Sequence, residues 1–374
     1  MKLLKIFPLF LLLIFSGVAC APHDDSPGKK GSENEKKDPP IVVTGPLQKR
    51  IKACLDHVKS RDLETTHNFW AVFHGILGTG FEATLFDREA GKKINAIDYI
   101  CQGGKLNGLK FTKTDDGIDV LITPGIGTGQ GHQDQFISEM GQWGMPADKE
   151  FLVDGKKYPF LDFCKQSKAQ ASVKADPPQE LTWAITIIGQ YFPEYAWTNK
   201  PWTNNRGEQL TYEDVVRYEL NEPVGKDAAC GGTHRLFGLT WAHHLHQING
   251  GKTTGVWKEV ADKLDQFKSK AREVQNSDGC FSSEYLSNKG PGKDLGASGH
   301  IVEWLALAMT DDELKQPWVE DAVNAVVQMI FDKSKQTVET GELYHAAHGL
   351  HMYYNRVFGP LGKHEPLIPL PPRK

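Results

Sequence analysis

From residue 46 onward, two kinds of helical stretch alternate along the chain. The first kind is amphipathic. Leu47–Val58, Thr211–Glu219, Val256–Val274 and Trp318–Phe331 carry apolar side chains at helical spacing with charge between them. The second kind is apolar almost all round: Thr66–Leu77, Leu181–Phe192, Ala229–Leu245, Gly296–Met309 and Leu343–Tyr354. A helix that is apolar on every side is expected to be buried on every side. His132–Gly141 reads as a further inner helix, so the buried helices are expected to start near residues 66, 132, 180, 233, 299 and 343.

Three of these stretches share a local scheme. A glycine precedes a histidine, and leucine follows five residues on: His234 with Leu239, His300 with Leu305, and His345 with Leu350. The residue three places after each histidine is Phe237, Glu303 or His348. One structural unit therefore recurs. Between the helices, Gly78-Thr79-Gly80 is a stop signal, and residues 80–130 form the least helical part, with a short strand expected at Asp119–Pro124. The glycine series Gly125–Gly131 lacks the spacing and the Lys-Ser/Thr ending of a nucleotide loop, so it reads as a loop before a helix. Asp154–Cys164 suggests a turn and a short helix. Residues 193–209 suggest a loop, with Trp197 and Trp202, and Thr211 with Glu213 suggests a helix cap.

Buried helices alternating with amphipathic ones fit a ring of helical hairpins. The expected fold is all-α: an α/α toroid of about six hairpins, an inner ring wrapped by an outer one, with a small irregular or β insertion around 80–130. A solenoid of helix pairs would show a steadier period. The expected organisation is a signal peptide of lipoprotein type over 1–20, a disordered linker over 21–45, the toroid over 46–360 and a Pro-rich surface tail over 361–374.

The start of the chain sets the expected compartment. Lys2 and Lys5 precede the apolar run Leu9–Phe15 and the small residues Ser16–Ala21, the pattern of an export signal. Two readings stay open. Gly17-Val18-Ala19-Cys20 resembles a lipoprotein box, which implies membrane attachment through a lipid on Cys20 in the periplasm or at the outer membrane. Alternatively, Ala19 and Ala21 form an Ala-x-Ala site and the protein is secreted. The apolar run is shorter than the roughly 20 residues a spanning helix needs. Six cysteines include Cys20, which leaves Cys54, Cys101, Cys164, Cys230 and Cys280, an odd set without a Cys-x-x-Cys. The net charge of −4, without a basic face, argues against a nucleic-acid partner.

If the inner helices run side by side, their N-terminal ends share one mouth. The candidates there are His67, His74, His132, Asp134, Glu180, His234, Arg235, His300, Glu303, His345 and His348. Of these, His234, Arg235, His300, Glu303, His345 and His348 are taken as the catalytic set. Helix N-termini are expected to keep the histidines neutral and to favour an anionic ligand.

A family resemblance enters at Gln275-Asn276-Ser277-Asp278-Gly279-Cys280-Phe281, which resembles the Gln-x-x-x-Gly-x-Trp repeat of the terpenoid cyclases, with Phe281 for Trp. The resemblance implies the toroid shared by squalene cyclases and protein prenyltransferases, and a bracing role for Gln275. Thr114-Asp115-Asp116 and Asp311-Asp312 lack the Asp-x-Asp-Asp spacing of a cyclase acid. Asp278-Gly279-Cys280 followed by Tyr344-His345 is also similar to the zinc motif of the prenyltransferase β subunit. That similarity implies zinc at Asp278, Cys280 and His345, and a diphosphate-binding role for Arg272. The chain departs from the pattern at Gln275, where the family has Lys, and at Cys230 or His234, where it has His.

Function therefore has three expectations. The first is a metal-assisted, transferase-like enzyme. The second is a polysaccharide lyase or glycoside hydrolase, with Arg235, His234, His300, Tyr344 and His345, or the carboxylates Glu180, Glu303 and Asp134, as the reacting groups, and Trp70, Trp183, Trp197, Trp202 and Trp304 for stacking on sugars. The third is a non-enzymatic envelope protein. Its partner would be a small molecule, lipid, saccharide or peptide in a central cavity, with the oligomeric state left open.

Overall fold

The structure is a computed structural model that describes residues 44–61, 63–123, 127–333 and 339–370. The signal-peptide and linker expectations, Cys20 and the end of the tail lie outside these residues. The chain is mostly helical, about 52%. The helices are α1 (Leu47–Lys59), α2 (Phe69–Thr79), α3 (Ala96–Cys101), α4 (Gln135–Gln142), α5 (Phe160–Gln170), α6 (Thr182–Tyr191), α7 (Pro193–Ala196), α8 (Tyr212–Asn221), α9 (Thr233–Ile248), α10 (Val256–Val274), α11 (Leu295–Ala308), α12 (Pro317–Asp332) and α13 (Thr340–Phe358). No helix among the described residues is long and apolar enough to cross a membrane.

The two helix types separate as their patterns require. All but a few residues of α2, α4, α6, α9, α11 and α13 are buried, whereas α1, α8 and α10 bury one stripe and expose the other. The buried helices touch in a closed circuit: α2 on α13, α13 on α11, α11 on α9, α9 on α6, α6 on α4, and α4 on α2. The amphipathic helices pack against its flanks, α1 on α13, α12 on α11, α10 on α9, and α8 on α6 and α9.

Local signals fix several helix starts. The Asn68 side chain accepts from the Ala71 amide, and Asp294 accepts from the Ala297 amide. Thr211 caps α8 in a reciprocal box with Asp214 rather than with Glu213, because only the third helical position reaches back to the cap.

Strands are short and lie mostly between α1 and α5. β1 (Leu63–Glu64), β2 (Thr84–Asp87) and β3 (Lys92–Asn95) form one sheet, parallel then antiparallel, with Leu85 opposite Ile94. β4 (Phe111–Lys113) pairs with β5 (Ile118–Val120), the strand expected near 119. Two further hairpins lie beyond residue 130: β6 (Glu150–Val153) with β7 (Lys156–Pro159), and β8 (Trp202–Thr203) with β9 (Gln209–Leu210). The first follows from Asp154-Gly155, both at positive φ, the turn that matches strand twist in a two-residue loop. The stretch expected as a loop after 193 also holds α7 and that last hairpin. The expected surface tail is docked rather than free. The Leu367 amide donates to the Gln142 carbonyl, His351 meets Glu365 at 2.9 Å, and Pro366 is buried.

Gln275 ties the end of α10 to the start of α12. Its amide donates to the carbonyls of Gly279 (3.1 Å) and Trp318 (2.8 Å), and Phe281 is fully buried.

The tightest joint is between α11 and α13. A methyl on Gly349 would lie 2.7 Å from the Glu303 amide nitrogen, and one on Gly299 would lie 2.7 Å from the Ala346 Cβ. Neither glycine is in a left-handed conformation, so proximity is the reason for both. Gly349→Ala is expected to force the two helices apart and to lower stability by about 2 kcal/mol. Urea denaturation checks this, and an unchanged midpoint would mean that the joint yields freely.

Candidate functional site

Every helix of the closed circuit, or the turn just before it, delivers polar groups to one buried cluster around a small pocket. His74 comes from α2, Gln135 and Glu139 from α4, Glu180 from the turn before α6, His234 from α9, His300 and Glu303 from α11, and His345 and His348 from α13. The ring centroids of His300 and His345 are 4.1 Å apart, those of His234 and His300 5.1 Å, and those of His234 and His345 5.5 Å. His74 lies 5.4 Å from His345, and His132 lies 5.4 Å from His234. Thr182, Thr186, Trp183 and Phe237 complete the wall. The space left is about 10 Å³, enough for a water or a metal ion.

The histidines are oriented by what their Nδ1 atoms bond. His74 Nδ1 and His300 Nδ1 each donate to the carbonyl four residues earlier, Trp70 and Gly296, at 2.8 Å. Glu303 accepts from His345 Nδ1 at 2.8 Å and from His348 Nδ1 at 2.6 Å. When each ring is neutral, this leaves Nε2 as the nitrogen with a lone pair. The Nε2 atoms of His300 and His348, both His234 nitrogens, and one oxygen each of Glu139 and Glu180 are buried without a hydrogen-bond partner. Buried polar atoms are normally paired, so this concentration marks a site built for something polar.

Burial dominates the protonation of the set. It holds His74, His234, His300 and His348 below the ordinary imidazole value. The expected neutrality of these four therefore arises from desolvation rather than from helix ends. His345 differs. Burial opposes its charge, but the Glu303 carboxylate outweighs burial and raises it. Burial would likewise raise Glu303, yet the charge and hydrogen bond of His345 and the hydrogen bond of His348 hold it below its ordinary value. Glu180 is held well below its own against the same penalty, by His132 at 2.7 Å and by His234. Glu139 has no such partner, and burial pushes it up to about 8.

Among the described residues, three groups bring ligand atoms within 4.8 Å of one another: His74 with Glu139 and His345, Cys230 with His234 and His300, and His132 with Glu180 and His234. Asp278, Cys280 and His345 are not such a group, which corrects the zinc set implied by the prenyltransferase-like motif. Asp278 instead accepts from the Cys280 amide and faces Lys293 at 3.4 Å, while burial pushes the Cys280 thiol up to about 11. Arg272, assigned to diphosphate by the same resemblance, is exposed on α10.

Of the expected catalytic set, His234, His300, Glu303, His345 and His348 converge. Arg235 does not, because it faces away to bind the buried Glu219 at 3.1 Å and the Pro223 carbonyl at 2.8 Å. Asp134 sits in a separate patch with Ser167 and Gln170, and exposed His67 caps the Glu64 amide. Of the tryptophans, Trp183 lines the pocket, Trp304 is core, and Trp197 is exposed. None of Cys54, Cys101, Cys164, Cys230 and Cys280 is in a disulfide.

Glu139 escaped the sequence reading. Its signal was a Gln135–Glu139 pair, four residues apart, inside a helix whose neighbours Phe136, Ile137 and Met140 are apolar.

Glu303→Gln leaves an acceptor for one imidazole N–H and sets an amide N–H against the other. It is expected to cost about 3 kcal/mol at neutral pH in urea denaturation. Because the folded carboxyl lies below its ordinary 4.5, its contribution is complete above that value and is lost as pH falls through the folded value. The gap between wild type and variant should therefore shrink in acid, and a gap that is equal at about pH 7 and about pH 3 would contradict a charged Glu303. No protein-family model, curated protein or solved structure matches the chain.

Proposed function

We propose that the chain is an α/α toroid that acts as a metal-assisted enzyme, with a Zn²⁺-type ion held by His74, Glu139 and His345. The toroid is supported by the closed circuit of six buried helices and the amphipathic helices outside it. The export-type start extends the proposal to the cell envelope, with attachment through a lipid on Cys20.

One observation carries the metal. Two imidazoles and a carboxylate converge, and both imidazoles have Nδ1 already engaged, His74 on a carbonyl and His345 on Glu303. Outer partners of this kind fix the tautomer and aim Nε2 at an ion. The donors fit the group. An oxygen of Glu139 is orphaned, and a carboxyl that burial keeps protonated up to about 8 ionises readily beside a cation. Three protein ligands leave one position for substrate. Bound there, the ion supplies Lewis-acid activation of whatever occupies that position. The chain does the rest. Glu303 keeps His345 aimed, and the apolar wall of Phe237 and Trp183 excludes water.

Full-length protein incubated with Zn²⁺ and desalted is expected to retain about one equivalent or more. His74→Ala and Glu139→Gln should each lower that content, and Cys280→Ser should not. Protein that retains no metal would end the reading.

A second reading draws on the unlike protonation of two adjacent rings, His345 raised and His300 lowered, 4.1 Å apart. Such a pair can serve as acid and base in metal-free cleavage of a polysaccharide. New reducing ends or unsaturated products from uronate or neutral polysaccharides, undiminished by a chelator, would favour it over the metal.

A further inference from the structure

We infer that Cys230, His234 and His300 form a second, thiolate-containing metal site beside the first. The inference rests on the metal reading of this pocket and adds a site of different chemistry to it.

The donor atoms come from two places in the chain. Cys230 precedes α9, His234 lies in its first turn, and His300 projects from α11. One donor atom of each lies within 4.8 Å of the other two. His234 is 5% exposed and His300 4%, yet Nε2 of neither has a hydrogen-bond partner. Each is thus an unpartnered polar group sealed in the pocket and facing a sulfur. Two nearby groups already aim the rings. The Gly296 carbonyl takes Nδ1–H of His300, and Glu180 stands 3.6 Å from Nδ1 of His234, which leaves Nε2 of each ring as the donor.

The backbone around Cys230 supports the same placement. Cys230, Gly231 and Gly232 have φ of 44°, 65° and 71°, three left-handed residues in a row. Such a conformation is costly for a residue with a Cβ. A methyl on Gly231 would meet the Tyr285 ring at 2.2 Å, and one on Gly232 the Val224 backbone at 2.9 Å, so the loop is pressed between these walls and held in place.

Two imidazole nitrogens and one sulfur select a borderline or soft cation such as Zn²⁺ or Co²⁺ over Mg²⁺ or Ca²⁺, which take oxygen. On binding, the Cys230 S–H gives its proton to solvent and the sulfur donates its electron pair to the cation, so uptake releases one proton. Again three protein donors leave a fourth position open. The adjacency of His300 and His345 puts that position beside the first site.

Cobalt distinguishes the sites, since only a thiolate ligand gives a near-ultraviolet sulfur-to-Co²⁺ charge-transfer band. Full-length, chelator-stripped protein titrated with Co²⁺ is expected to take up about two equivalents and to show the band. Cys230→Ser should keep one equivalent and lose the band. His300→Ala should also lose one equivalent, and it guards against a folding defect peculiar to the loop. His74→Ala and Cys280→Ser should keep the band. One equivalent without a band, or a band that survives Cys230→Ser, would overturn the second site and leave the first standing. Failure to bind any Co²⁺ would overturn both.

Discussion

The approach of α11 to α13 governs the geometry of the pocket. Gly299 lets Ala346 lie against one helix, and Gly349 lets the Glu303 backbone lie against the other. At this spacing a carboxylate on α11 reaches two imidazoles on α13, and His300 comes face to face with His345. Larger residues at either glycine would separate the helices by more than a hydrogen bond tolerates. The other histidines are then brought in by neighbours on each side, α2 next to α13 and α9 next to α11.

Burying this much polar chemistry runs against the hydrophobic logic of the surrounding core. An uncompensated buried charge costs several kcal/mol, and the structure limits the number of such charges. Glu303 shares its charge with His345, and Glu180 shares its own with His132. The remaining imidazoles stay neutral. Glu139 takes its hydrogen bond from the neutral Gln135 amide, and burial outweighs this and the nearby His345 to push it up to about 8. Apolar residues of similar size would fill the same volume more cheaply, so the retention of orphaned nitrogens and oxygens at one spot argues for a functional rather than a structural role.

The motif most similar to a known metal site turned out to be local architecture. Gln275, Asp278 and Phe281 each make contacts that finish the loop after α10: carbonyls for Gln275, an amide and a lysine for Asp278, and the core for Phe281. Arg235, one residue from His234, points to the other side of α9, because adjacent helical residues diverge by about 100°. It binds Glu219, which lies buried under the α6 start and accepts the Leu181 amide. A charged residue beside a functional histidine can therefore belong to the scaffold.

What the chain alone determined was the period and the polarity of its segments. Apolar-all-round stretches had to be inside, amphipathic ones had to flank them, and histidines inside the former had to be buried. That much follows from hydrophobicity at 3.6-residue spacing, and it made His234, His300, Glu303, His345 and His348 legible. Folding alone decided which of these face one another, that Glu139 and Cys230 join them, and that Asp278, Cys280 and Arg235 do not. The reason is geometric. Which side chains share a pocket depends on the rotation of each helix about its axis and on how closely its neighbours approach, and both are set by contacts between residues far apart in the chain.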